Sequence, residues 1–137
     1  MAQEWITNQP QKYKTQEEAV FAITNLQNKQ LIGCIALHFH LADARATLGY
    51  WIGIPFWSQG YATEAGQTVL QWGFQKASLN KVCAMHYASN PVSGRVMQKL
   101  GMTQEGVGVQ HILKNNKFED AVFYGLTAEQ HARIIQR

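Results

Sequence analysis

Hydrophobic and polar positions change rhythm several times along this chain, and each change marks an element. Phe21 to Leu26 and Gln30 to His40 are strand-like runs on either side of Gln27-Asn28-Lys29, a short polar turn, so a β-hairpin is expected there. A third run, Leu48 to Ile54, follows a polar loop around Asp43 to Thr47 and stops at Pro55. From Gly60 the period lengthens to about 3.6: Ala62, Ala65, Val69, Trp72 and Gly73, with Leu70, Phe74 and Ala77 beside them, form one apolar helical face. Lys81 to Ala88 reads as a buried strand. Asn90-Pro91 supplies a helix start, with Asn as N-cap and Pro in the first turn, and Gly101 ends that helix after Leu100. Val107 to Leu113 and Phe118 to Leu126 flank Lys114-Asn115-Asn116-Lys117 as a second hairpin, and Thr127 to Arg137 suits a short terminal helix.

The N-terminal stretch is harder to pattern. Met1 to Lys14 is polar with scattered aromatics and one proline, and reads as an irregular lead-in. Thr15-Gln16-Glu17-Glu18 has the form of a helix capping box, but strand formers from Ala19 to Thr24 leave room for one helical turn at most. The resulting order is three strands, a helix, a strand, a helix and two strands. A strand-helix-strand unit flanked by hairpins predicts an α/β (mixed α+β) domain with a mixed sheet, spanning residues 1–137 without an internal linker.

Composition narrows the function classes. At 46% hydrophobic and 15% charged residues the chain belongs with globular proteins. The longest apolar run, Leu31 to Leu37, is strand-sized, and the first residues lack the basic head and apolar stretch of a signal peptide, so the expected compartment is the cytoplasm. A net charge of +3 suits a phosphate-bearing ligand, while the scattered basic residues do not make a nucleic-acid stripe. Cys34 and Cys83 sit in apolar runs and are expected to pack in the core; no cysteine or histidine spacing suggests a metal.

The segment from Ile52 to Ala65 carries the clearest chemistry. It reads as a strand, a tight loop of small residues and a helix start, a geometry that aims backbone N–H groups and a helix dipole at one place. Gly60 would let the backbone approach a ligand and Ala62 would keep the first turn narrow, which suits a pyrophosphate. The same segment also fits an ordinary strand-to-helix connection. Neither a P-loop Lys-Ser/Thr pair nor G-x-G-x-x-G is present.

Taken together, Gly49-Tyr50-Trp51-Ile52-Gly53, Trp57-Ser58-Gln59-Gly60-Tyr61-Ala62-Thr63-Glu64-Ala65 and Asn90-Pro91-x-Ser93-Gly94-Arg95-Val96-Met97-x-Lys99-Leu100-Gly101-Met102 resemble the GNAT superfamily of N-acetyltransferases, in its RimJ/RimL-like branch. Glu105-Gly106, His111, Lys114-Asn115, Lys117-Phe118-x-Asp120 and Tyr124-Gly125-Leu126 follow in the expected order, so the resemblance runs from about Val20 to Leu126. It implies a GNAT-like acyl-CoA N-acyltransferase fold and direct transfer of acetyl from acetyl-CoA, a cosubstrate, to a primary amine in a ternary complex. No metal is implied. The implied cofactor-binding residues are Ile52, Gly53 and Ile54 along the pantetheine arm, and Trp57, Ser58, Gln59, Gly60, Tyr61, Ala62 and Thr63 around the pyrophosphate. The resemblance further implies that Asn90 and Ser93 face the arm and that Arg95 and Lys99 reach its phosphates. A backbone N–H near Ile52 or Gly53 is the implied oxyanion donor.

For proton transfer the candidates are His86, Glu64 or a water between them as base, Ser93 to protonate the thiolate or bind it by hydrogen bond, and Tyr124 as a further group. Each side chain also has a plain structural reading: a packed core histidine, a first-turn carboxylate favoured by the helix dipole, a first-turn helix residue and an aromatic closing a strand.

The chain departs from the family pattern twice. Met97 stands where many members have a tyrosine seven residues after the motif asparagine. Only about nineteen residues precede Val20, too few for the family's opening strand and helices, so Met1 to Glu18 is expected to cross the sheet edge irregularly, or a second subunit in a homodimer to cover it. The acceptor, a protein N-terminus or a small amine, is not encoded in these motifs. The alternative reading is a catalytically weak or inactive CoA-binding module acting as a sensor or interaction protein.

Overall fold

A computed structural model describes residues 4–8 and 18–136. The strands are β1 (Glu4–Asn8), β2 (Glu18–Asn25), β3 (Leu31–His40), β4 (Arg45–Ile52), β5 (Lys81–Tyr87), β6 (Thr103–Lys114) and β7 (Lys117–Thr127). The helices are α1 (Tyr61–Gln75), α2 (Pro91–Lys99) and α3 (Ala128–Ile135). The strands form one seven-stranded sheet in the order β1-β2-β3-β4-β5-β7-β6. Among the described residues its one parallel pair is β4 with β5, because α1 carries the chain back across the sheet between them. This is the mixed sheet that the element order predicts.

Local chemistry explains the turns. In the first hairpin Asn25 Oδ1 accepts from the backbone N–H of Gln27 at 2.9 Å, and Asn28 Oδ1 accepts from Gln30 at 2.9 Å. In the second, Asn115 and Asn116 both take positive φ (52° and 62°), as a tight two-residue turn requires. Thr127 caps α3 through a full capping box with Gln130.

The core lies between one face of the sheet and the helices. Phe21, Ile23, Ile35, Leu37, Leu48, Val82 and Leu126 meet Ala65, Val69 and Leu70 of α1 and Met97 of α2, all of them buried. Phe21 also sets its ring edge-on to Trp72 of α1, with centroids 5.3 Å apart. Met97, at the position where the tyrosine is absent, therefore serves as core.

Several expectations need correction. Within the lead-in expected to be irregular, Glu4–Asn8 is a regular strand, antiparallel to β2 from Glu4↔Asn25 to Asn8↔Phe21. The unpaired N–H and C=O groups of the β2 edge draw it in, a tertiary gain that five residues do not advertise in sequence. That edge, expected to be crossed irregularly or covered by a second subunit, is the one β1 pairs with. Glu18 opens β2 rather than completing a helical turn, and Thr15 to Glu17 lie outside the described residues. The polar stretch expected to be a loop is already strand from Arg45: Arg45 and Thr47 point away from the core while Ala46 and Leu48 are buried. Ile54, expected to end that strand, begins a short 3-10 turn, Ile54–Phe56. Cys34 is exposed and Cys83 half-buried, both as free thiols, so neither packs in the core as expected. On the same face of β3 as Cys34, Ala36 is also small, so a partly exposed strand face reads as an apolar run. Among the described residues, no helix is long and apolar enough to cross a membrane.

Candidate active site

The parallel pairing of β4 and β5 is short. It runs through Arg45↔Lys81, Ala46↔Val82 and Thr47↔Cys83 and then ends, although both strands continue. Beyond that point β4 stays bonded to β3 as far as Ile52, and β5 stays bonded to β7 as far as Tyr87. The sheet therefore opens into a wedge between Leu48–Ile52 and Ala84–Tyr87.

Strand alternation decides which backbone groups face this gap. The Gly53 N–H donates to Ile32 O at 2.8 Å, on the β3 side. The N–H of Ile52, one residue earlier, consequently points into the gap. Of the two candidate oxyanion donors, the Gly53 N–H is already engaged. The Ile52 carbonyl accepts from Trp57 Nε1 at 2.7 Å, which ties the following loop to the end of β4.

That loop leads to a helix start with no side-chain cap. Gly60 is the N-cap of α1 at φ 82°, and Ser58 also has positive φ (62°). A Cβ at Gly60 would meet nothing within 4 Å. Its left-handed backbone favours glycine here. Gln59 Nε2 donates to Pro55 O at 3.1 Å, and the buried Tyr61 sets its ring edge-on to Phe56. Ala62 and Thr63 are half-exposed and Glu64 is exposed. The first-turn N–H groups of α1 thus lack a side-chain cap, in a segment that Trp57 ties to the open end of β4.

On the helix side the gap is bridged. The Tyr50 hydroxyl of β4 lies 2.7 Å from Ser93 Oγ of α2 and donates to Ser93 O at 3.2 Å. Burial raises the Tyr50 pKa above its usual value, partly offset by the hydrogen bond with Ser93, so the phenol stays protonated at neutral pH. Asn90 Oδ1 accepts from the Ser93 backbone N–H at 3.4 Å, so Asn90 acts here as the N-cap that sets the first turn of α2. Tyr50 is a residue the sequence reading quoted without a role. Its signal was parity: Leu48 and Tyr50 share a face, and that face meets the helices.

His86 stands on the β5 flank. Its Nδ1 is 2.7 Å from the Tyr87 carbonyl, which can only accept, so Nδ1 carries a proton and Nε2 is the nitrogen left to exchange one. Nε2 faces α2 at Gly94, where an added Cβ would lie only 2.6 Å away. Glycine at this position is a condition for His86 to sit where it does. A cleft of 280 Å³ opens beside it, lined by His86, Pro91, Arg95, Gln98 and Tyr124 among others. Gln98 Nε2 donates to the Tyr124 hydroxyl at 3.5 Å.

The predicted residues are therefore only partly brought together. Ile52, Ser93 and His86 border the gap, and the 57–63 loop stands at its mouth. Arg95 lies two residues, about 200° of helical turn, from Ser93 and lines the cleft toward β7. Lys99 is exposed on the last turn of α2. Among the described residues no hydrogen bond or ion pair joins Glu64 to His86, and no group of three or more His, Cys, Asp or Glu residues is placed to hold a metal.

The chain as a whole has relatives among known proteins. The family model for the acetyltransferase (GNAT) domain matches residues 1–103. The uncharacterized N-acetyltransferase YnaD of Bacillus subtilis is 32% identical over 100 residues, covering 73% of this chain and 59% of the relative. The uncharacterized N-acetyltransferase YoaA of the same organism is 30% identical over 115 residues, covering 83% and 65%. The chain thus spans roughly three-fifths of the length of these curated relatives. A GNAT-family acetyltransferase from Bacillus anthracis superposes with a TM-score of 0.76 at 29% identity, over 80% of this chain and 66% of that one. Spermidine N-acetyltransferase SpeG from Vibrio cholerae, in an F149A form, superposes at 0.83 over 92% and 75%; at 19% identity it shares the fold. The fold is that of the GNAT acetyltransferases, and the chain belongs to the GNAT family.

Proposed function

We propose that this chain transfers an acetyl group from acetyl-CoA directly to a primary amine within a ternary complex. The observation that carries the reading is the β4/β5 wedge, roofed by the Tyr50–Ser93 hydrogen bond and fronted by the uncapped start of α1. In this reading the backbone N–H groups of residues 57–63 hold the pyrophosphate. The gap-side edge of β4 pairs with the pantetheine arm, and the Ile52 N–H polarises the acetyl carbonyl. The amine nitrogen attacks that carbonyl: a C–N bond forms and the C–S bond breaks. The amine proton passes to His86 Nε2, to Glu64 at the α1 terminus, or to a water between them that reaches the acceptor side of the gap. Ser93 Oγ supplies a hydrogen bond to the departing thiolate, a role for which Met97 has no chemistry. The motif residues support the RimJ/RimL-like branch, which favours a protein N-terminus as acceptor, and acetyl-CoA chemistry suits a cytoplasmic setting.

The test is thermal unfolding and calorimetry with acetyl-CoA and CoA, followed by a thiol-release assay with an amine panel. Ligand at a hundred times its dissociation constant should stabilise the fold by about 2.7 kcal/mol. No shift at millimolar ligand would remove this reading.

A further inference from the structure

The wedge has a second face, away from the helices. β4 and β5 run parallel and alternate in step, so Tyr50 and His86, four residues beyond Ala46 and Val82, both point to the helix side. Trp51 and Tyr87, four residues beyond Thr47 and Cys83, therefore flank the opposite side of the gap. Trp51 is 60% exposed. The Tyr87 ring already carries a cation: Lys114 Nζ lies 4.4 Å from its centroid. Lys114 sits at the tip of the β6–β7 hairpin, opposite Lys117. Glu119, two residues along β7 from Ala121, the strand partner of Tyr87, lies within electrostatic reach of Lys114, and its Oε1 accepts from the Ser89 N–H at 3.2 Å. Hydrogen bonding from Ser89, together with the nearby charges of Lys114 and Lys117, holds the Glu119 carboxyl below its usual range, so it is anionic at neutral pH. An aromatic face next to a fixed carboxylate is a setting that binds an alkylammonium.

We infer that Tyr87 and Glu119, facing Trp51 across the gap, form a subsite for a cationic group that the acceptor carries besides its reacting amine, and that Lys114 is the built-in occupant the acceptor displaces. The inference rests on the acetyl-transfer reading, because it is the uncovered side of the wedge that an acceptor can approach. The side chain held at the subsite is itself an alkylammonium, so the structure displays the recognised chemistry in miniature. A cation bound there stays protonated and is not the nucleophile. The acceptor class is thus an amine with a second positive charge, such as a diamine or a basic peptide terminus.

The first arm of the test needs no turnover. Butyltrimethylammonium, a permanent cation that cannot be acetylated, is titrated into the protein while NMR follows the Lys114 ε-methylene, which the Tyr87 ring should shift upfield. Displacement should move that resonance downfield. Lys114→Gln should tighten the probe about two- to fivefold, the range of an exposed cation–π contact. Tyr87→Phe should preserve binding and Tyr87→Leu should lose it. A Lys114 resonance that the probe leaves unmoved, or an affinity that Lys114→Gln leaves unchanged, overturns the subsite.

The second arm measures acetyl transfer to 1,4-diaminobutane and to butylamine. In Lys114→Gln the KM for the diamine should fall about two- to fivefold relative to that for butylamine. If the probe behaves as expected but no amine is acetylated, the acetyl-transfer reading fails and the subsite stands. If diaminobutane is acetylated with one KM in the wild type, Lys114→Gln and Tyr87→Leu, the subsite fails and the transfer reading stands.

Discussion

Replacing Tyr50 by phenylalanine removes one oxygen atom, and the geometry around it sets the expected cost. That oxygen is 2.7 Å from Ser93 Oγ and 3.2 Å from Ser93 O, in a half-buried position. A hydrogen bond of this kind contributes about 0.5–1.5 kcal/mol net, and some of the loss is returned because the variant no longer buries a hydroxyl. The expected destabilisation is therefore about 1 kcal/mol, which for a chain of this size lowers Tm by about 3–5 °C. The activity cost should be larger than the stability cost. General acid–base groups typically supply about 10²–10⁴ in rate, and a Ser93 hydroxyl free to rotate forfeits part of that. We expect kcat for Tyr50→Phe to fall about tenfold or more with little change in KM for acetyl-CoA, and Ser93→Ala to fall at least as far. The double variant should be scarcely worse than Ser93→Ala alone, because the two hydroxyls act as one unit. Steady-state kinetics on the four proteins of this cycle, with Tm measured alongside, decides the matter. A Tyr50→Phe protein with a lower Tm but an unchanged kcat would refute the reasoning and leave the contact a brace between β4 and α2.

Two further predictions follow from side chains described above or packed beneath α3. Gly94→Ala places a Cβ 2.6 Å from His86 Nε2, so the imidazole must move; kcat should fall at least tenfold while acetyl-CoA affinity holds, and an unchanged kcat would remove His86 as base. His131 is 6% exposed and stacks on Phe74 at 4.8 Å, and burial lowers its pKa below 6.5. A lowered pKa gives stability that is present above the unfolded value and lost as pH falls through the folded one. Urea midpoints should therefore drop below about pH 6.5, and His131→Phe should flatten that slope.

Much of the fold is legible because its signals are local. Asn90-Pro91 and Gly101 bracket α2 by cap chemistry, Asn115-Asn116 supplies the positive φ values of a tight turn, and the 3.6-residue rhythm of α1 survives in its buried face. Elements that depend on partners distant in sequence are less legible. Glu4–Asn8 becomes a strand because an edge is waiting for it, and Cys34 is exposed because the far face of β3 is lined by small residues that resemble core. The site shows the same division. The loop from Trp57 to Thr63 can be read from its small residues, and its joining to β4 through Trp57 Nε1 cannot. Tyr50 is the instructive case. It stands inside a quoted motif, but its partner is 43 residues away, and only the alternation of β4 together with the position of α2 brings the two hydroxyls together.

The short parallel junction of β4 and β5 has a consequence for solubility as well as for chemistry. Unpaired strand edges are normally hazards because a neighbouring chain can add to them and seed aggregation. Here two such edges, Leu48–Ile52 and Ala84–Tyr87, lie in the middle of the sheet, closed at one end by Thr47↔Cys83 and roofed by Ser93. A whole strand from another protein, with a sheet behind it, is too bulky to enter this recess. A single extended arm of the kind proposed above carries no such bulk. The fold thus keeps backbone hydrogen-bonding capacity in reserve and screens its users by girth.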